Sequence, residues 1–158
     1  MSIRKACEHD LSRIAEIFVL NNRINYFPIF QDEEFSFGKL QVISVADTYF
    51  KRLGILSQIY VYDDGLIRGF LQMDGTEICK LYVDPFFQSR GIGGSLIEYG
   101  IRAFGANHLW ALEKKYQGDF FLPETRIYAD WGERIRGRYN GVSCSVKEGD
   151  LICISIVL

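Results

Sequence analysis

The stretch Leu81-Tyr-Val-Asp-Pro-Phe-Phe-Gln-Ser-Arg-Gly-Ile-Gly-Gly-Ser95-Leu96 decides how this chain is read. It starts as an apolar β-forming run and breaks at Asp84-Pro85. It then passes through glycines into a helical pattern with Ile92, Leu96, Ile97, Tyr99 and Ile101 apolar. A strand that enters a helix through such a turn presents successive backbone N–H groups without intrahelical partners, at the positive end of the helix dipole. That place suits a phosphate or pyrophosphate. Gly91, Gly93 and Gly94 let the backbone approach an anion closely, and Arg90 adds positive charge at the rim. The competing reading is a tight turn with convenient glycines. A P-loop is excluded because no Gly-Lys-Ser/Thr follows, and a dinucleotide fingerprint fits poorly because no glycine stands three residues after Gly93.

Working outward, Glu77 to Val83 reads as the strand that feeds the motif. Leu66 to Met73 and Leu56 to Tyr62 precede it as a hairpin, with turn signals at Asp63-Asp64-Gly65 and Asp74-Gly75. Toward the N-terminus a second helix is expected from about Leu40 to Arg52, and an aromatic, acidic loop from Tyr26 to Phe37. Before it lies a helix opened by Asp10 as N-cap, with Leu11, Ile14, Ala15, Phe18 and Val19 on one face and Asn21-Asn22 as its stop. Ile3 to Ala6 makes a short first strand. Downstream, Gly91 to Phe104 is the motif helix, and His108 to Leu112 the next strand. Helices flanking a meander imply an α/β layer fold, a mixed sheet with helices on its faces, in a single domain over residues 1–158.

Composition agrees. The chain has 158 residues, 48% hydrophobic and 24% charged, which is enough to bury a core without staples. Lys and Arg total 18 against 20 for Asp and Glu, so the basic excess that accompanies nucleic-acid binding is missing. No long apolar span points to a membrane. Cys7, Cys79, Cys144 and Cys153 form no C-x-x-C pair, and His9 and His108 are the only histidines, so no metal site is expected. The opening residues lack an apolar signal region, and free thiols fit a reducing cytoplasm.

Gln88-x-x-Gly91-x-Gly93 after Leu81-Tyr-Val-Asp-Pro resembles the acetyl-CoA signature of the GCN5-related N-acetyltransferases (GNAT). The opening Ile-Arg-Lys-Ala, Asp-Leu-Ser-Arg-Ile and His108-Leu-Trp-Ala-Leu-Glu113 also fall where that family places them, so the resemblance covers roughly residues 2–114. It implies a mixed, mostly antiparallel sheet flanked by helices, and acetyl-CoA as acyl donor. The backbone amides of Gln88, Ser89, Arg90, Gly91, Ile92, Gly93, Gly94 and Ser95 would hold the pyrophosphate, and Leu81, Tyr82 and Val83 would position the pantetheine arm and thioester. The implied reaction is direct acyl transfer to a primary amine. Such an ammonium, with a pKa of about 10.4, must first lose a proton to a base. Glu77, at the start of the motif strand, is the candidate base; the competing reading is an ordinary strand-start carboxylate. A backbone N–H near Val83 would polarise the thioester carbonyl. Tyr26, Phe27, Phe30 and Phe35 either line the acceptor side or simply pack.

The resemblance stops at about Lys114. The family's pattern continues as a helix carrying a Tyr that acts as acid for the departing thiolate, whereas this chain reads Lys114-Lys-Tyr-Gln-Gly-Asp-Phe-Phe-Leu-Pro-Glu-Thr-Arg-Ile-Tyr128. Pro123 would fall inside that helix. Codons exist for this stretch that, with one adenine removed at Lys114-Lys115, read K-N-T-K-A-I-S-F-Y-Q-R-H-G-F, the family's pattern. Two readings therefore stand for residues 115–158: a shifted reading frame or a divergent genuine C-terminus. A shifted frame would leave a CoA-binding domain with impaired or no catalysis. The acid role goes to none of Tyr116, Tyr128 or Tyr139. The apolar ending Leu151 to Leu158 is either a buried strand or a segment that pairs with an open sheet edge or drives homo-oligomers.

Overall fold

The structure is a computed structural model that describes residues 2–52, 54–112, 115–117, 120–122 and 126–128. Strand β1 (Ser2–Lys5) leads through a short 3-10 turn into helix α1 (Leu11–Asn25). A helical connection follows: α2 (Phe27–Phe30), a wide π-type turn at Glu34–Lys39, α3 (Val42–Ser44) and a second π-type turn at Val45–Phe50. Then come β2 (Ile59–Asp63), β3 (Ile67–Asp74), β4 (Glu77–Val83), helix α4 (Ile92–Phe104) and β5 (His108–Leu112). β6 (Lys115–Gln117), β7 (Phe120–Leu122) and β8 (Arg126–Tyr128) complete the described elements. Cys144, Cys153, Tyr139, Pro123 and the Leu151–Leu158 ending lie outside them.

The main sheet has the order β1-β2-β3-β4-β5-β8. It is antiparallel throughout except where β4 meets β5 in parallel. The mixed, mostly antiparallel sheet is therefore as expected. Its two faces are covered by different helices. Phe18 of α1 packs edge-on against Tyr82 at 5.3 Å, and Phe50 packs edge-on against Phe70 at 5.7 Å. On the other face α4 comes so close that a Cβ added at Gly100 would stand 3.3 Å from Leu71 Cδ2 and 3.4 Å from Met73 Sδ. Ile14, Ile17, Phe50, Phe70, Leu71, Leu81, Tyr82 and Leu96 are almost wholly buried between these layers. Each such side chain contributes about 1.5–3 kcal/mol of transfer free energy.

Four local expectations change. Tyr26 to Phe37 is mostly helical rather than a loop: Pro28 sits in the first turn of α2, where its missing N–H costs nothing. The second helix spans 42–50, shorter than 40–52, and widens into a π-type turn. Asp10 precedes α1 without making a side-chain cap. Its carboxylate instead accepts two bonds from Arg4, at 2.7 and 3.0 Å, and one from the Cys7 amide at 2.8 Å, because a guanidinium binds an acid more strongly than a neutral amide does. Asn21 and Asn22 do not stop α1. Each turns its amide back onto the carbonyl four residues earlier, Ile17 and Phe18, at 2.8 Å, and the helix runs on to Asn25.

After Lys114 the described residues are strands. β6 and β7 form a two-stranded ribbon, and β8 pairs antiparallel with β5 through Trp110, Ala111 and Leu112.

Candidate active site

The site is built around the C-terminal end of β4. Opposite residues on β3 and β4 run from Gly69↔Val83 to Gln72↔Lys80, and the Asp84 amide donates to the Arg68 carbonyl at 2.8 Å. Hydrogen-bonded and non-bonded pairs alternate along an antiparallel ladder. Since Asp84 bonds toward β3, so do Tyr82 and Lys80, while the backbone groups of Leu81 and Val83 face the other way, toward β5. Among the described residues no strand pairs with them there, which leaves a gap. β4 and β5 share only the pairs Glu77↔His108 and Ile78↔Leu109, after which β5 turns to β8. Of the three strand residues expected to hold an extended ligand, Leu81 turns its N–H and carbonyl and Val83 its N–H to this gap, the Val83 carbonyl accepting from Asn21 and Gln88, while Tyr82 does not face it; its ring lies in the core.

The register also moves Glu77. It shifts by one between Gln72 and Met73, so that Met73 faces Ile78 and Cys79 is left as a bulged residue. Strict alternation would place Glu77 on the α4 face with Leu81. The bulge puts it opposite Asp74, on the α1 face with Lys80 and Tyr82. Cys79 feels this neighbourhood: burial first, then the Glu77 carboxylate, push its thiol up to about 11.

Beyond Val83 the chain makes a capped turn. Asp84, buried, accepts from the Phe86 amide at 2.8 Å and from Arg13 of α1 at 2.5 Å. Gln88 is extended, and Ser89 and Gly91 take positive φ, 61° and 78°. Two left-handed residues so close together curl the main chain into a concavity ahead of helix α4. The resulting cleft, about 370 Å³, is lined by Val83, Phe87, Gln88, Ser89, Gly91, Ile92, Gly93 and Gly94. A Cβ at Gly94 would meet nothing within 4 Å, so this position is open to the cleft. The sequence-derived loop residues are thus brought together, with two exceptions. The Ser95 amide donates to the Gly91 carbonyl at 3.0 Å, as its hydroxyl does at 3.1 Å, so it is used within the helix, and the Arg90 guanidinium lies over the Phe87 ring, 5.3 Å from its centroid. Arg68 approaches the same ring at 4.5 Å.

Tyr26 is buried and stacks on Phe30, which is half exposed; Phe27 packs edge-on against Phe37 at 4.9 Å. Phe35 lines a separate crevice between α1 and the helical connection, together with Phe18, Leu40 and Tyr49. Sequence reading missed Lys80, which is buried, donates to Tyr49 Oη and sits 4.7 Å from the centre of that ring. It also missed Asn21. Among the described residues no group of three metal-ligating side chains occurs, and no helix is long and apolar enough to cross a membrane.

Several solved structures share this fold. The YjaB protein of Escherichia coli in its apo form superposes with a TM-score of 0.53 at 16% identity, over 70% of this chain and 71% of that one. A GCN5-related N-acetyltransferase of Rhodopseudomonas palustris gives 0.52 at 22% identity, over 72% and 73%. The PaiA N-acetyltransferase of Thermoplasma acidophilum, in complex with coenzyme A, gives 0.52 at 17% identity, over 82% and 98%. The fold is that of the GCN5-related N-acetyltransferases. No family model matches the chain, and no curated protein matches its sequence. Within the GNAT fold, the parted β4 and β5 and the cleft before α4 lie at one end of the sheet, so one ligand can use both.

Proposed function

We propose that this chain is an acetyl-CoA-dependent N-acetyltransferase acting on a primary amine. The observation that carries the reading is the continuity of two features: the amide-lined cleft ahead of α4, and the row of Leu81 and Val83 backbone groups facing the gap between β4 and β5. A pyrophosphate fits the first, and an extended amide-containing arm fits the second. A small phosphorylated donor would use only the cleft.

Distances along β4 support one division of the chemical roles. Glu77 and Val83 are six residues apart, but the bulge at Cys79 makes the span five ladder steps, about 17 Å. A base at Glu77 and a carbonyl-polarising amide at Val83 therefore cannot serve one reacting centre. The gap-facing N–H of Leu81 is four residues but, across the bulge, three ladder steps from Glu77, about 10 Å, a span that an amine and bridging water can fill. Leu81 N–H is accordingly the group that holds the developing oxyanion, and the Val83 N–H holds the arm further out. Glu77, on the α1 face, takes the proton from the ammonium as it approaches from that face. The amine nitrogen then attacks the thioester carbon, the C–S bond breaks, and the second proton of the nitrogen passes to the departing CoA thiolate, giving the amide and the free thiol. Holding both substrates along β4 supplies much of the acceleration.

The test is calorimetry and thermal denaturation with acetyl-CoA, followed by free-thiol release across a panel of amines. Binding with turnover supports the enzyme. Binding without turnover supports a CoA-binding domain, a second reading favoured by the strands Lys115–Gln117, Phe120–Leu122 and Arg126–Tyr128, where a helix with an acid Tyr would otherwise stand. Failure to bind acetyl-CoA refutes both.

A further inference from the structure

We infer that Asn21 of α1 is a positioning residue for the acyl-CoA cleft. The inference rests on the acetyl-CoA reading above. Asn21 is fully buried. Its Nδ2 donates to the Ile17 carbonyl at 2.8 Å and to the Val83 carbonyl at 3.0 Å. Gln88 Nε2 donates to the same Val83 carbonyl at 3.1 Å and to Asn21 Oδ1 at 3.4 Å. The three groups close a ring of hydrogen bonds between the first helix, the last residue of the motif strand and the first residue of the anion-binding turn.

The ring has two effects. It occupies both lone pairs of the Val83 carbonyl, so this gap-facing oxygen has no capacity left for a ligand. The arm's amide donors must then use the Leu81 carbonyl, while the Val83 N–H remains the outer donor. The ring also fixes the Val83–Asp84 peptide and the Gln88 side chain before any ligand arrives, so the amides of the turn need little reorganisation on binding. α1 meets the end of the motif strand at a second point, eight residues earlier, where Arg13 reaches Asp84 at 2.5 Å. Helix α1 and the donor cleft are thus tied at two points.

Asn22 supplies an internal control. It is next in the chain, buried like Asn21, and donates its side-chain amide to the carbonyl four residues back at 2.8 Å, but it makes no bond to the cleft residues. A merely structural role predicts that Asn21→Ala and Asn22→Ala lower the melting temperature alike and leave acetyl-CoA affinity equal. The positioning role predicts that Asn21→Ala weakens acetyl-CoA binding about tenfold, the scale of one to two lost hydrogen bonds, while Asn22→Ala changes it less than about twofold. Gln88→Ala should weaken binding similarly, and the double variant Asn21→Ala/Gln88→Ala little further, because both break one ring. Calorimetric titration of the full chain reads all four. Equal affinities for the two asparagine variants, or additive losses in the double variant, would overturn the inference. Should Asn21→Ala fail to fold, Gln88→Ala and Gln88→Glu in the folded protein still test the ring: Glu lacks the donor and should bind no better than Ala. Absence of binding by the wild-type chain would refute the acetyl-CoA reading rather than the role of Asn21 within it.

Discussion

Replacing Gly94 by Glu separates ligand binding from folding, with opposite signs. Gly94 is the third residue of α4, is exposed, lines the cleft, and has no atom within 4 Å of the place a Cβ would take. The side chain therefore enters without strain. A carboxylate in the first turn of a helix interacts favourably with the dipole, and Glu is a better helix former than Gly; together these stabilise by about 0.5–1 kcal/mol. For a chain of this size that raises the melting temperature by roughly 1–4 °C. For a bound pyrophosphate the same charge is adverse. At about 5 Å and an effective dielectric of ~20, each unit of like charge costs about 3 kcal/mol, or more than 100-fold in affinity. At 100 times the dissociation constant, wild type gains about 2.7 kcal/mol from acetyl-CoA, roughly 5–10 °C. At the same concentration the variant should gain about 0.4 kcal/mol, near 1 °C. Differential scanning fluorimetry with and without acetyl-CoA reads both numbers. A variant that keeps the full ligand shift would refute the anion site, and one that melts several degrees below wild type would refute the open geometry at Gly94.

Further outcomes follow from packing and charge. Gly69→Ala would place a Cβ 2.8 Å from the Tyr82 carbonyl oxygen and 3.3 Å from Val83 Cα; parting β3 from β4 should cost about 3 kcal/mol in urea denaturation. The bonds from Arg4 hold the Asp10 carboxyl down at about 2. A depressed acid pKa stabilises the fold above the unfolded value of about 3.9 and loses its contribution as pH falls to about 2. Stability should thus drop by about 2 kcal/mol across that window, and Asp10→Asn should flatten this acid limb in pH-dependent denaturation. Cys79, pushed up to about 11 by burial, should resist iodoacetamide at pH 8 while the exposed Cys7 is modified, as peptide mass mapping would show.

The elements legible in the sequence are those whose signals are local. β2 to β4 are bounded by Asp-Gly turns, and the helix after Gly91 opens where glycine must take φ 78°. Asp10 misled because a long-range partner, Arg4, outcompeted the local cap. The π-type turns at Glu34–Lys39 and Val45–Phe50 escaped because a 3.6-residue period does not describe them. The face of Glu77 was illegible for a related reason: a single bulged residue at Cys79 inverts the alternation, and no residue type announces it. Asn21 reads as a helix breaker by propensity, yet its spacing of four from Ile17 and from Asn25, whose amide in turn donates to the Asn21 carbonyl at 2.9 Å, was the available sign of back-bonded amides inside a helix.

The parting of β4 from β5 has a mechanical meaning. β1 to β4 are laced by four, five and six register pairs in turn, but β4 holds β5 by two. Under load, that seam is the perforation along which the sheet tears, and β5 with β8 would peel away before the four-stranded body yields. A cofactor arm bonded to the lips of the seam would act as a rivet. Pulled in an optical trap, the protein should rupture at higher force with acetyl-CoA bound than without it.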